Sequence, residues 1–261
     1  MGTVPVGQQL RQWRERRRVS QMQLALDADI SPRHLSFIET GRSQPSTGTL
    51  DRLAEQLEVP YRARNGMLRA AGFAPRHTER PLDDPAMERA LVAIRHILKG
   101  HEPYPAIAVD RHWNIIAAND AISFFTEQLG SALLAEPLNA LKIALHPEGL
   151  APQVVNLAEW HAHVMEQLDR SIEASADEGL VALREEIAAY PHEQIEEPPP
   201  ADPDRIWIPL VLDTVVGRMA FVSTITIFGT PVDVTLSELA LEAFFPADEA
   251  TAEILRKAWK P

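Results

Sequence analysis

Within its first 75 residues the chain restarts a helix several times, and the short intervals between the start signals leave room for little except a bundle of short helices. Ser20-Gln21-Met22-Gln23 has the S-x-x-Q form of a capping box, in which a serine hydroxyl and a glutamine side chain satisfy reciprocal backbone donors. Ser31-Pro32 is an N-cap serine followed by proline at the first helical position, where a missing N–H costs nothing. Pro45-Ser46 and Pro60 open two further helices. Ahead of them, Gly7 to Arg18 carries Leu10 and Trp13 inward and is crowded with Arg11, Arg14, Arg16, Arg17 and Arg18. Apolar residues then recur at helical spacing: Leu24, Ala25 and Ala28, then Leu35 and Ile38, then Leu50, Leu53, Ala54 and Leu57, and finally Met67, Leu68 and Ala71. Gly41 supplies a left-handed stop, and Gly72-Phe73-Ala74-Pro75 closes the unit. Two short helices joined by a tight turn, inside a five-helix unit with arginine on its surface, make a helix-turn-helix.

The full length of 261 residues leaves room for a second domain, and the charge changes sign with it. Residues 1–80 hold 13 Arg and no Lys against 8 Asp plus Glu, whereas the whole chain carries a net charge of -12. A basic module is therefore joined to a strongly acidic one, and a polyanion is drawn to the first and held off the second. A hydrophobic share of 45% supports packed cores. The absence of cysteine excludes disulfide frameworks, thiolate catalysis, iron-sulfur clusters and every zinc site with a Cys ligand. No apolar stretch of signal-peptide or membrane-spanning length occurs, so a soluble cytoplasmic protein without a membrane partner is expected.

The remaining chain reads as α+β. Residues 76–102 form a linker and a connecting helix, Pro85 to Lys99, with an apolar stripe of Leu91, Ile94, Ile97 and Leu98. Ala106 to Asp110 and Asn114 to Ala118 read as a hairpin around an Arg111-His112 turn. Asp120 to Tyr190 is mostly helical, an acidic, proline-rich, solvent-exposed loop covers His192 to Asp204, and strand pattern returns in Arg205 to Leu212 and Met219 to Phe228. Val232 to Val234 reads as a short third strand, and helices from Leu236 and Asp248 finish the chain. Strands, a helical block and more strands describe an antiparallel sheet with helices on one face, the general form of a PAS-like sensor, over residues 103–261.

Specific residues narrow both domains. The run Ser20-Gln21-x-x-Leu24-Ala25, Ile30-Ser31-x-x-x-Leu35-x-x-Ile38-Glu39-x-Gly41-Arg42 and Pro45-Ser46-x-x-Thr49-Leu50-x-x-Leu53-Ala54 resembles the lambda-repressor-like, XRE-family DNA-binding domain. Asp29 stands where that family commonly has glycine, and Asp tolerates the left-handed turn better than most residues. Downstream, His101-Glu102-Pro103-Tyr104-Pro105, Asp110-Arg111-x-Trp113-Asn114, Ala117-Ala118-Asn119 and His146-Pro147-x-Gly149-Leu150 resemble the MmyB-like ligand-binding domain. So do Ser223-Thr224-Ile225-Thr226-x-Phe228-Gly229-Thr230-Pro231-x-Asp233-Val234 and Phe244-Phe245-Pro246-Ala247-Asp248. The resemblance implies a multidomain transcriptional regulator: an all-α helix-turn-helix domain over residues 1–75 and a PAS-like effector domain, able in some members to hold an acyl chain.

Residues near the start of the second helix of such a motif meet base edges while the first helix crosses the backbone. Arg33, Ser36 and Phe37 are therefore the expected base readers, with Arg33 suited to guanine and Phe37 to a thymine methyl, and Gln21 and Arg42 are expected at phosphates. Of the arginines from 11 to 18 only some can face DNA, because five positions within eight residues circle a helix. In the second domain Thr224 and Thr226 share a strand face with Phe228, and buried hydroxyls there need partners. His146, Asn156 and Trp160 in the helical block are expected to anchor the head of an amphipathic ligand, while Asn119 caps the helix that follows it. His161-Ala162-His163 has the wrong spacing for two ligands on one helix face, so no metal site is assigned. No nucleophile-elbow, phosphate-loop or dinucleotide motif is present, and no catalytic residue is assigned. The expected function is operator binding by a homodimer under a small, apolar, fatty-acid-like effector, with no other cofactor. An enzyme or cofactor-bound redox sensor built on the second domain is the alternative.

Overall fold

The structure, a computed structural model, describes residues 4–127, 129–130, 133–191, 206–229 and 232–258. The expected loop from His192 to Asp204 lies outside the described residues. The contacts divide the chain at Arg80 into two compact units, apart from two short segments, 173–176 and 232–234, that group with the first.

The first unit consists of α1 (Val6–Arg16), α2 (Gln21–Asp27), α3 (Pro32–Glu39), α4 (Thr47–Gln56) and α5 (Tyr61–Ala70). The hydroxyls of Ser20, Ser31 and Ser46 accept from the N–H groups of Gln23, His34 and Thr49 at 3.1, 3.1 and 3.2 Å, so three helices start where a side chain replaces a missing intrahelical partner. Only one half of the expected capping box forms, because the Gln23 amide turns forward to Asp27 at 2.8 Å. Asp29 and Gly41 take positive φ values of 53° and 73°, which turn the chain sharply out of α2 and α3. The helices close over Leu10, Leu24, Leu35, Ile38, Leu50, Leu53, Leu57, Met67 and Leu68, all fully buried. Each such side chain stabilises the fold by about 1.5–3 kcal/mol.

The second unit begins with α6 (Glu88–Gly100), β1 (Ala106–Val109) and β2 (Ile115–Ala118). The short α7 (Ser123–Thr126) and α8 (Ala140–Leu145), then the longer α9 (Leu157–Ser175) and α10 (Glu178–Ala188), follow. Strands β3 (Leu210–Thr214) and β4 (Gly217–Ile227), the turn-length α11 (Val234–Ser237), β5 (Ala240–Pro246) and α12 (Glu249–Ala258) complete it. The five strands form one antiparallel sheet in the order β2-β1-β5-β4-β3. No helix among the described residues is long and apolar enough to cross a membrane.

Four expectations are corrected by this arrangement. Helix α6 is no free connector: Ile94 and Leu98 are buried against Ala106, Ala108, Leu239 and Leu241, covering one face of the sheet. The segment expected as a helix from Leu236 turns once and then runs as β5, while Val232–Val234 forms no strand of the sheet. Pairing decides this outcome, since β1 and β4 each present an edge that only a strand can satisfy. Finally, Asn119 does not cap the turn after it. Its amide nitrogen donates to the carbonyls of Leu98 and Tyr104 at 3.1 and 2.8 Å, and its oxygen accepts from the Ala106 N–H at 3.1 Å, tying α6 to β1.

The tightest contact in the first unit is at Gly7, where an added Cβ would lie 2.1 Å from the Ile38 carbonyl oxygen. Helix α1 can approach the end of α3 only without a side chain there. Gly7→Ala should destabilise the first unit by about 1–3 kcal/mol through overpacking, lowering the midpoint of its urea transition followed by circular dichroism. A midpoint equal to wild type would rule out this close approach.

Candidate functional site

The first unit presents one coherent polar and aromatic face. Proline at the start of α3 and the Ser31 cap fix where that helix begins, which leaves Arg33 exposed in its first turn and Phe37 half-buried one turn later. The guanidinium of Arg33 lies 5.3 Å from the centre of the Phe37 ring and that of Arg42 lies 5.9 Å from it. Both cations are therefore held near an aromatic face while their N–H groups stay accessible. Ser36 sits half-buried between them in sequence, its carbonyl accepting from the Thr40 hydroxyl at 2.7 Å.

Gln21 is engaged differently. Its amide donates to Glu39 Oε2 at 3.0 Å, and the same carboxylate receives Arg14 through two bonds of 2.7 and 2.9 Å. Glu39 is buried at the end of α3, so this cluster ties α1, α2 and α3 together. Arg17 donates to the Leu57 carbonyl at 3.0 Å and Arg11 pairs with Glu15 at 2.8 Å. Of the arginine run, Arg14 and Arg17 thus hold the bundle, and Arg11, Arg16 and Arg18 are exposed.

The second unit holds a partly open cavity of about 330 Å3. Its floor is the sheet face that carries Ile107, Leu210, Leu212, Phe221, Ser223, Ile225, Glu242 and Phe244, and its walls are Phe125 and Thr126 of α7, residues of α8, and Trp160, His163, Val164 and Gln167 of α9. Trp113 completes the wall from the β1–β2 turn, at a φ of 66° that few non-glycine residues adopt. Asp110 holds that turn: its carboxylate accepts from the N–H groups of His112 and Asn114 at 2.8 and 2.9 Å and from the Asn114 amide at 2.9 Å. The strained turn is thus fixed by charge-assisted bonds and delivers an indole ring to the cavity.

The polar groups in this apolar enclosure are few. Glu242 stands on β5 between Ile107 of β1 and Ile225 of β4 and is 8% exposed. Burial pushes its carboxyl up to about 7, against the opposing effect of a hydrogen bond from the Ser223 hydroxyl. His163 is held below the usual histidine range, first by burial and then by Arg170, with Glu166 opposing. The indole Nε1–H of Trp160 is buried without a hydrogen-bond partner.

Residues 90–258 match the model of the MmyB-like transcription regulator ligand binding domain, more than half of the chain. The chain belongs to this MmyB-like family. Residues 5–65 match a helix-turn-helix domain model. Over 68 residues the chain is 40% identical to the HTH-type transcriptional repressor RghR of Bacillus subtilis, covering 26% of this chain and 48% of that protein. Over 69 residues it is 42% identical to the HTH-type transcriptional regulator RghRB of the same organism, with the same coverage. The chain thus spans about half the length of the curated relatives it matches. Among solved structures, the clp gene regulator ClgR from Corynebacterium glutamicum is 23% identical, with a TM-score of 0.23, covering 38% of this chain and 90% of that one.

Against the MmyB-like cavity the expected ligand residues divide. Trp160 lines it. Asn156 does not, because its amide nitrogen donates to the Pro209 carbonyl at 2.8 Å and its oxygen accepts from the Val211 N–H at 3.1 Å, locking the start of α9 to β3. His146 lies outside the lining as well, its ring edge-on to Tyr190 at 4.8 Å and its Nδ1 accepting from the Glu148 N–H. Thr224 and Thr226 do share a face with Phe228, yet it is the face covered by α6 and not the cavity face, and both threonines are exposed there. Alternation sends Phe221, Ser223 and Ile225 inward instead. Trp113, His163, Gln167, Ser223 and Glu242 were missed; the detectable signals were a lone acid in an apolar run and the helical spacing of 163 and 167 from Trp160.

A buried carboxyl that prefers to be neutral contributes stability below its ordinary range near 4.5, and that contribution is lost as pH rises through about 7. Glu242→Gln should therefore melt close to wild type at pH 5 and above it at pH 8, the gap reaching on the order of 1–3 kcal/mol. Thermal unfolding across that range would contradict the placement if the gap were constant or opened at low pH.

Proposed function

We propose that the chain is a sequence-specific DNA-binding transcriptional regulator, not an enzyme, whose second unit senses a small, predominantly apolar effector with a fatty-acid-like chain. The observation that carries this reading is the presence in one chain of a helix-turn-helix, on which exposed Arg33 and Arg42 flank a half-buried Phe37, and a built apolar cavity. Arg33, Ser36 and Phe37 would read bases in the major groove, with Arg42 at phosphate. Gln21 would act mainly by fixing Glu39 and thereby the orientation of the recognition helix. The sheet order β2-β1-β5-β4-β3, with helices inserted between β2 and β3, supports the PAS-like reading of the second unit. One recognition helix per chain favours a homodimer on two half-sites about 34–36 Å apart.

An effector can act only by binding the two DNA-affinity states unequally. Its chain would be held by apolar burial at about 25 cal/mol per Å2, so thermal stabilisation of the full chain should grow with ligand chain length until the cavity is filled. Arg33→Ala should weaken binding to an operator in the chain's own upstream intergenic DNA by about 1–3 kcal/mol and leave binding to random DNA nearly intact. Gel-shift titrations of both variants on both DNAs measure this, and an equal loss on the two would remove Arg33 from base reading.

A further inference from the structure

Two guanidinium groups converge on Phe37. Arg33, one turn earlier on α3, lies 5.3 Å from the centre of its ring, and Arg42 lies 5.9 Å from it. The loop after the helix builds the second contact: Gly41 turns left-handed at a φ of 73°, and the Phe37 carbonyl then accepts from the N–H groups of Arg42 and Ser43 at 2.8 and 3.1 Å. Elsewhere in the same unit arginines are committed to carboxylates, Arg14 to Glu39, Arg62 to Glu79 and Arg76 to Asp51. Neither Arg33 nor Arg42 has a carboxylate partner among the described residues. A guanidinium that rests over a ring keeps its in-plane N–H donors free for another acceptor.

A guanidinium that meets guanine O6 and N7 lies in the plane of that base. Base pairs follow one another at about 3.4 Å, so a ring centred 5.3 Å from that guanidinium stands beside the neighbouring pair and short of the next one at about 6.8 Å. What the ring can sense there is limited by its chemistry. It carries no donor or acceptor for thymine O4 or the cytosine amino group, and only a 5-methyl group adds apolar contact. The ring also shields one face of the guanidinium from water, which strengthens the charge-assisted bonds to guanine. Taking α3 as the base reader proposed above, we infer that Arg33 and Phe37 act as one unit that reads a guanine together with a 5-methyl group in the adjacent base pair, on thymine or on 5-methylcytosine alike, so that cytosine methylation at that position tunes affinity for DNA.

The test begins with selection of duplexes by the full chain from a random-sequence pool, followed by single-base replacement within the selected site. Guanine and thymine should occupy neighbouring pairs in each half-site. Uracil in place of that thymine, which removes only the methyl, should weaken binding about fourfold, the effect of one buried methyl group. At the same position 5-methylcytosine should bind about fourfold more tightly than cytosine. Phe37→Ala should abolish both differences, and Arg33→Ala should relax the preference for guanine. The uracil and methylcytosine comparisons use the wild-type chain, so they decide the matter should Phe37→Ala fold poorly. A selected site without those neighbours, equal affinity for thymine and uracil, or a methyl effect that survives Phe37→Ala would each overturn the inference and leave base reading by α3 in place. A pool that yields no enriched sequence would overturn both.

Discussion

Strand β5 is hydrogen-bonded along both edges, to β1 through Ala106–Val109 and to β4 through Phe221–Ile227, and the second unit depends on that insertion. Without it the strands are two separate hairpins, β1–β2 and β3–β4, each too small to stand alone in water. The last strand in the chain thus closes the middle of the sheet, so folding must wait for contacts distant in sequence. The turn after it places α12 against β4, where the Thr251 hydroxyl accepts from the Ala220 N–H at 3.0 Å. Closure also assembles the cavity, because its floor draws Ile107 from one hairpin, Phe221 and Ser223 from the other, and Glu242 from the strand between. A ligand seated on that floor touches all three and favours the joined state by mass action.

In the first unit the corresponding constraint is electrostatic. Glu39 ends α3 in a buried position, where an unpaired carboxylate would be severely penalised. The two-bond grip of Arg14 and the Gln21 amide offset that cost, and they come from two different helices. Losing Arg14 would strand the buried carboxylate, whereas losing Gln21 would remove one of its hydrogen bonds and leave the ion pair in place.

What the sequence made legible follows from how local each determinant is. Helix starts at Ser20, Ser31 and Ser46 are decided within four residues, and they appear where capping chemistry puts them. The β1–β2 hairpin was readable for the same reason, its β-branched runs flanking a short turn. Strand β5 was not, because Leu239-Ala240-Leu241-Glu242-Ala243 is made of helix formers and becomes a strand only through partners far away in sequence. The same limit governs the site. Period-2 alternation correctly groups Thr224 with Thr226, but parity alone does not say which face meets the cavity, and a one-residue difference moves every side chain across the sheet. Asn156 was legible only as a polar residue in the helical block and was expected to anchor a ligand, while its duty as a backbone clamp depended on β3 arriving beside it.

A cavity of this size is itself an argument for function. Its apolar walls leave open a space that tighter packing would close, forgoing apolar burial that an ordinary core would gain. Around it the chain keeps three further departures from an optimal core: a raised carboxyl at Glu242, an unpartnered indole N–H at Trp160 and a left-handed Trp113. Each alone is tolerable in a structural core. Their convergence on one enclosure, walled by four segments that are otherwise well packed, is the pattern expected where selection has held stability below its maximum to keep a binding site open.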